Sequence, residues 1–159
     1  MSEQDLSGKV VLISGAARRI GAAIVTRLHA NGARVAIHYR SSSDEAESLA
    51  LGLNDERAES AATFQADLLD IDQIPRIVAA VTDWGGRLDA LINNASTFYP
   101  TPIGSITEAH WEDLMGSNLK APRFLSQAAQ PHLKATGGAI VNSVDIHSQR
   151  PLRNPAVYG

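Results

Sequence analysis

The segment whose residue types most directly suggest chemistry is Ser14-Gly15-Ala16-Ala17-Arg18-Arg19-Ile20-Gly21, which follows an apolar run and opens a helical pattern. Gly15 and Gly21 let the backbone approach a bound group, and small Ala16 and Ala17 keep the turn open. The start of a helix adds unpaired N–H groups and the positive end of its dipole. Together these suit a pyrophosphate. The plainer reading is a tight strand-to-helix turn without a ligand; the strand-turn-helix context favours phosphate. A second segment, His38-Tyr39-Arg40-Ser41-Ser42, ends the next strand-like run. An acid there would hydrogen-bond the ribose hydroxyls of NAD and repel a 2′-phosphate. This sequence has Arg40, which can pair with such a phosphate, and Ser41, which can donate to it. Both point to NADP(H). Asp44 and Glu45 fit better as first-turn residues of the following helix.

Regular elements must hold these residues. The runs 10–14, Arg34–Tyr39, 62–66, 88–93 and 139–144 read as strands; the first is rich in β-branched residues and lacks alternation, as a strand buried on both faces does. Helical patterns span 19–31, about 43–59 and up to residue 84 from a cap at Asp70 or Asp72. A last one runs from Thr107 to about Lys134 and is kinked or divided at Pro122. In the first helix the apolar positions Ile20, Ala23, Ile24 and Leu28 fall on one face, and Gly32 should cap it. Residues 147–159 read as a loop. The order βαβαβαβαβ requires parallel strands with helices on both faces. The expected class is therefore α/β, a doubly wound parallel sheet forming a single domain over 1–159. A flavodoxin-like strand order is the competing topology.

Composition narrows the function classes. The chain has 159 residues, 44% hydrophobic and 19% charged, which suits one soluble domain. No apolar run approaches the roughly 20 residues that span a bilayer, and the N-terminus is polar and acidic, unlike a signal peptide. No membrane partner and a cytoplasmic location are expected. The absence of cysteine excludes disulfides, thiolate metal sites and a cysteine nucleophile. A formal charge of −3 argues against a nucleic-acid partner. The five histidines lack ligand spacing, so no metal site is expected.

The turn over 14–21 resembles the TGxxxGxG turn of short-chain dehydrogenase/reductases, with Ser14 for threonine and Arg19 for the middle glycine. The version with that arginine is similar to the turn of pteridine reductases within the family. So are His38-Tyr39-Arg40-Ser41 and the string Asn93-Asn94-Ala95-Ser96-Thr97-Phe98-Tyr99-Pro100-Thr101-Pro102. The resemblance implies a Rossmann-like fold and NADPH-dependent reduction of a dihydrobiopterin-, dihydromonapterin- or dihydrofolate-like pteridine. It assigns Ser14, Gly15, Arg19, Ile20 and Gly21 to the cofactor, with Tyr39, Arg40 and Ser41. Asp67, Leu68, Asn94, Ala95 and Ser96 complete that set. Arg19, Ser96 and Phe98 would meet the substrate, Phe98 by stacking a flat ring. Asn118 would hold an active-site water.

The resemblance also implies a catalytic pair, Asp145 and Tyr158. Most family members carry serine where Asp145 stands. A carboxylate near a phenol raises the phenol pKa and keeps it protonated, which suits a proton donor in reduction. The sequence stops at Gly159, before the lysine that the family places four residues after the tyrosine. The resemblance therefore implies the front part of a reductase domain, truncated after the catalytic tyrosine and lacking its C-terminal part. Such a piece is expected to be inactive and aggregation-prone alone, and the full-length protein a homotetramer. Two alternatives stand beside this reading: a short-chain reductase for another carbonyl or enone, and a nucleotide-binding sensor without turnover.

Overall fold

Val10, Val11, Leu12 and Ile13 are all buried, as a strand covered on both faces must be, and they form β1 (Val10–Ile13) at the centre of a five-stranded parallel sheet. The computed structural model describes residues 5–145. Its remaining elements follow in βα alternation. They are α1 (Arg19–Ala30), β2 (Arg34–Tyr39), α2 (Ser43–Glu56), β3 (Ala61–Gln65), α3 (Gln73–Gly85) and β4 (Ala90–Asn93). Then come α4 (Glu108–Met115), a π-helical turn (Gly116–Lys120), α5 (Ala121–Thr136) and β5 (Ala139–Asn142). The strand order is β3-β2-β1-β4-β5. That is the doubly wound dinucleotide-binding order and not the flavodoxin-like one. Its switch point lies between β1 and β4, whose carboxyl ends leave a crevice where ligands of such sheets bind.

Alternation along the strands divides the core. Leu12, Ala36 and Leu91 pack with Ile74 and Val78 of α3 and Leu125 and Leu133 of α5. Val11, Ile13, Val35 and Ile37 face the other way, onto Val25 of α1 and Leu53 of α2.

One expectation about the helices is corrected. The buried stripe of α1 is Gly21, Val25 and His29, with Ile24 and Leu28 half-buried beside it; Ile20 is 67% exposed and Ala23 is exposed. The reason is Gly21, which has no side chain and lets the helix start press against the preceding turn, rotating Ile20 outward. The long helix breaks at the π-helical turn. Pro122 follows two residues after that turn, and its missing N–H and ring act on the Asn118 carbonyl within it, so the division falls beside the proline as expected. Thr107 caps α4 reciprocally: its Oγ1 accepts from the His110 N–H at 3.2 Å, while the Thr107 N–H donates to His110 Nδ1 at 3.3 Å. Asp72 is the residue before α3, but the neighbouring Asp70 carboxylate makes the bonds, accepting from the Asp72 N–H and from Gln73 Nε2. The expected loop over 147–159, including Tyr158, lies outside the described residues. Among those described, no helix is long and apolar enough to cross a membrane, and no cluster of histidines and acids could hold a metal.

Candidate functional site

The turn after β1 and the segment after β4 fit together only because Gly15 and Gly21 are glycines. Gly15 has φ +61°, and a Cβ there would stand 2.8 Å from Ala95 Cα. A Cβ on Gly21 would stand 2.8 Å from both Ala16 Cα and Asn94 Nδ2 and would overlap the Gly15 carbonyl oxygen. Two predicted cofactor residues act within this junction. Ser14 is buried beneath the turn; its Oγ accepts from the N–H groups of Asn94 and Ala95, both at 3.0 Å, and donates to the Ile92 carbonyl at 3.5 Å. This explains why serine serves in place of threonine: only the hydroxyl is used. Asn94 Nδ2 donates to the Ser14 and Gly15 carbonyls at 3.0 Å each, so its amide braces the turn.

Above the junction opens a cleft of about 410 Å³ at the switch point. Gly15, Arg19, Ile20 and Gly21 line one wall, Tyr39, Arg40 and Ser41 the next. Asp67, Leu68, Asn94, Ala95 and Ser96 line the rest, so all of the predicted cofactor residues except Ser14 converge here. Ile20, on the apolar face of α1 by periodicity and a cofactor residue by the resemblance, is an apolar wall of the cleft. Asp67 is partly committed to its own loop, since its Oδ1 accepts from the Leu69 N–H at 3.0 Å. Tyr39 is mostly buried, and its hydroxyl accepts from Ser43 Oγ at 3.4 Å.

Arg18 and His38 also line the cleft, and sequence reasoning gave neither a role. Arg18 reaches across the rim to Glu45 of α2, with Nη1 3.3 Å from Oε1. Its position next to Arg19 was the signal available. His38 sits on β2 with only 3% of its surface exposed. A buried polar residue in an otherwise apolar strand was its signal. With Arg18, Arg19 and Arg40 set against the single carboxylate of Asp67, the cleft walls favour an anionic occupant.

Arg19 stands at φ +52°, in the left-handed region that a side chain disfavours by roughly 1–2 kcal/mol. Strain of this kind persists where surrounding structure imposes it, and it concentrates at ligand clamps. Arg19→Gly is therefore expected to leave thermal stability unchanged or raise it, by at most about 1 kcal/mol after glycine's own entropy is subtracted. The same variant should bind an anionic ligand about 10- to 100-fold more weakly if the guanidinium holds the phosphate chain. Thermal unfolding and NADPH titration of Arg19→Gly beside Arg19→Ala check both signs.

The predicted chemistry residues lie at the edge of this cleft or beyond it. Asn118 is in the π-helical turn, and its side chain clasps the Thr97 backbone. Its Oδ1 accepts from the Thr97 N–H at 3.2 Å, and Nδ2 donates to the carbonyls of Thr97 and Leu114 at 2.8 and 2.9 Å. A π-turn disturbs the regular helical ladder, and Asn118 satisfies one of the carbonyls concerned. Both amide donors are thereby occupied; the second lone pair of Oδ1 is what remains for a water. Phe98 follows on the same loop, 47% exposed and outside the cleft-lining set. Asp145 is exposed, three residues past β5. Because the Ser143 N–H still bonds to the Asn93 carbonyl at 2.9 Å, Asp145 leaves the sheet at the carboxyl edge that carries the cleft. Tyr158, the other member of the predicted pair, lies outside the described residues.

Comparison with known proteins agrees with this architecture. The short chain dehydrogenase family model matches residues 9–159. Pteridine reductase 1 of Leishmania tarentolae is 35% identical, over 94% of this chain and 65% of its own length. Galactitol 2-dehydrogenase of Agrobacterium fabrum is 36% identical, over 91% of this chain and 56% of its own length. The 3-oxoacyl-(acyl-carrier-protein) reductase FabG of Staphylococcus aureus is 33% identical, over 84% and 54%. The chain thus spans between 54% and 65% of the length of these relatives. On the match over nearly its whole length, the chain belongs to the short-chain dehydrogenase family.

Proposed function

We propose that residues 1–159 form an NADP(H)-binding short-chain reductase domain whose protein reduces a pteridine at the expense of NADPH. The observation that carries the cofactor choice is the cleft wall at the end of β2: Arg40 and Ser41 line it, Arg18 stands opposite on the turn after β1, and no acid ends the strand. The glycine cradle and the cationic cleft fit a dinucleotide that carries an extra phosphate. In this reading the free N–H groups at the start of α1 and Arg19 hold the pyrophosphate. Arg40 and Ser41 hold the 2′-phosphate, and Ile20, Asp67 and Leu68 enclose the adenosine half. Asn94, Ala95 and Ser96 floor the cleft toward the nicotinamide.

Arg40→Ala tests this assignment. NADPH affinity is expected to fall about 10- to 100-fold, the value of a charge-assisted pair, with NADH affinity nearly unchanged. Equal losses for both cofactors would contradict the 2′-phosphate role.

The pteridine assignment is supported by the similarity to pteridine reductase 1, by arginine at the strained position 19, and by Asp145 at the carboxyl edge of the sheet. NADPH, when bound, supplies a hydride for a ring carbon of a dihydropteridine C=N bond. The chain's part is to orient the ring between Arg19, Ser96 and Phe98 and to deliver a proton to the ring nitrogen. Tyr158 is the proton donor in this scheme, and Asp145 keeps its phenol protonated. Asn118 holds the Thr97–Phe98 backbone, with its remaining lone pair on a water. Large apolar side chains exposed along α4, the π-helical turn and α5, among them Trp111, Leu119 and Phe124, suit a surface that is covered in the whole protein; a homotetramer is what the family resemblance implies.

A second reading, reduction of another carbonyl or enone, is favoured by the galactitol 2-dehydrogenase and 3-oxoacyl reductase relatives. A substrate panel following NADPH oxidation separates the two. Tight NADPH binding without turnover on any of the panel would instead favour the sensor reading.

A further inference from the structure

The Gly15 N–H donates to Nδ1 of His38 at 3.0 Å, and Nε2 of the same ring lies 3.1 Å from the Ala66 carbonyl oxygen. An amide N–H only donates and a carbonyl only accepts, so the two partners fix one state of the ring: neutral, with its proton on Nε2. The backbone of the same residue takes a further turn amide, since the Ala16 N–H donates to the His38 carbonyl at 2.8 Å. One buried residue of β2 thus binds the first amides of the phosphate turn and the carbonyl that leads from β3 into Asp67 and Leu68. These segments are separate walls of the cleft. A consequence follows for the turn itself: the Gly15 and Ala16 amides point at His38, leaving an anion to the later amides at the start of α1 and to the arginines.

We propose that His38 is a positioning residue for the cofactor, a neutral imidazole that sets the spacing between the turn after β1 and the loop after β3; this rests on the NADP(H) reading above. A second ring proton would remove the acceptor that Gly15 uses and oppose two N–H groups, forcing the turn to shift. Burial pushes His38 below the ordinary histidine value, and the Ala66 carbonyl and the Asp67 charge only partly oppose this. The other charged groups of the cleft walls are Arg18 and Arg19 on the turn and Arg40 at the end of β2. The neutral state, and with it the spacing, is kept at neutral pH and is lost as pH falls below the ordinary histidine range.

The test is NADPH titration of the full chain between about pH 5 and 8, in the wild type and in His38→Asn, His38→Gln and His38→Leu, with thermal unfolding measured alongside. An asparagine oxygen can replace Nδ1 toward Gly15, whereas a glutamine reaches the Nε2 position toward Ala66. At neutral pH, His38→Leu is expected to bind about 10- to 100-fold more weakly. His38→Asn should recover most of that loss and His38→Gln little of it. The cofactor's 2′-phosphate itself titrates near about pH 6, so the diagnostic is the difference between proteins: the wild type should lose affinity on acidification more steeply than His38→Asn. If His38→Leu does not fold, the contrast between asparagine and glutamine still decides. Unchanged affinity in the variants, or losses that merely follow their thermal stability with a wild-type pH profile, would overturn the proposal. A wild type that binds neither NADPH nor NADH would instead overturn the cofactor reading, and this role with it.

Discussion

Gly21→Ala is expected to lower NADPH affinity by roughly 100-fold and to destabilise the fold by about 1–3 kcal/mol. The added methyl would meet Ala16 Cα and Asn94 Nδ2 at 2.8 Å and overlap the Gly15 carbonyl oxygen. None of these neighbours is the free end of a flexible side chain. Ala16 and Gly15 are backbone of the turn, and the Asn94 amide is held by the Ser14 and Gly15 carbonyls. The start of α1 would therefore have to move away from the turn, carrying its N–H groups and Arg19 with it. Gly52→Ala is the matched control. Gly52 lies inside α2 with nothing within 4 Å of a Cβ placed there, so alanine should stabilise the protein by roughly 0.5–1 kcal/mol and leave binding alone. Urea unfolding and NADPH titration of both variants give the comparison. A Gly21→Ala protein that binds like the wild type would show that the turn tolerates displacement and does not position a phosphate.

In the complete enzyme, Asp145→Ala is expected to reduce pteridine turnover by about 100- to 10,000-fold, the range of a lost acid-base contribution, with little change in NADPH affinity. Affinity should survive because Asp145 is exposed and does not line the cleft. The carboxylate acts on the proton donor in the proposed scheme, so the loss should appear in kcat. Single-turnover reduction with NADPH saturating separates this step from binding. Undiminished turnover would remove Asp145 from the mechanism. A parallel loss of NADPH affinity would make it a structural residue of the loop after β5.

Much of the fold was legible because burial on both faces writes an apolar run. RVAIHY is the clearest case, and β2 has the bounds that its composition predicts. The doubly wound class followed from alternation of elements, but the strand order did not; it depends on which edge each crossover takes, and the sheet decided it. The face of α1 was misread because hydrophobic periodicity treats Gly21 as neutral, whereas close backbone approach makes it the most constrained position of the helix. The division of the long helix was legible in Pro122, because proline lacks the N–H that would continue the ladder to Asn118. The π-helical form that the division takes has no comparable residue signal.

The site was legible as a set of segments more than as a set of roles. Glycine and arginine types marked the cleft wall, so Gly15, Arg19, Gly21 and Arg40 fell where expected. Polar type alone does not say whether a side chain meets a ligand or a backbone. Ser14 proves to bond backbone groups only, and the amides of Asn94 and Asn118 chiefly brace the chain. His38 escaped notice for the converse reason. Within a buried strand a histidine is ordinarily a satisfied core residue, and only the distances to Gly15 and Ala66 show that its partners are cleft walls.

The most direct test of the central claim is NADPH oxidation by the complete enzyme in the presence of a dihydropteridine, run beside 3-oxoacyl and sugar-derived carbonyl substrates. The expected result is stoichiometric conversion of the dihydropteridine to its tetrahydro form, faster with NADPH than with NADH and faster than reduction of either carbonyl. Turnover confined to the carbonyl substrates, or tight NADPH binding with no pteridine reduction, would contradict the pteridine reading.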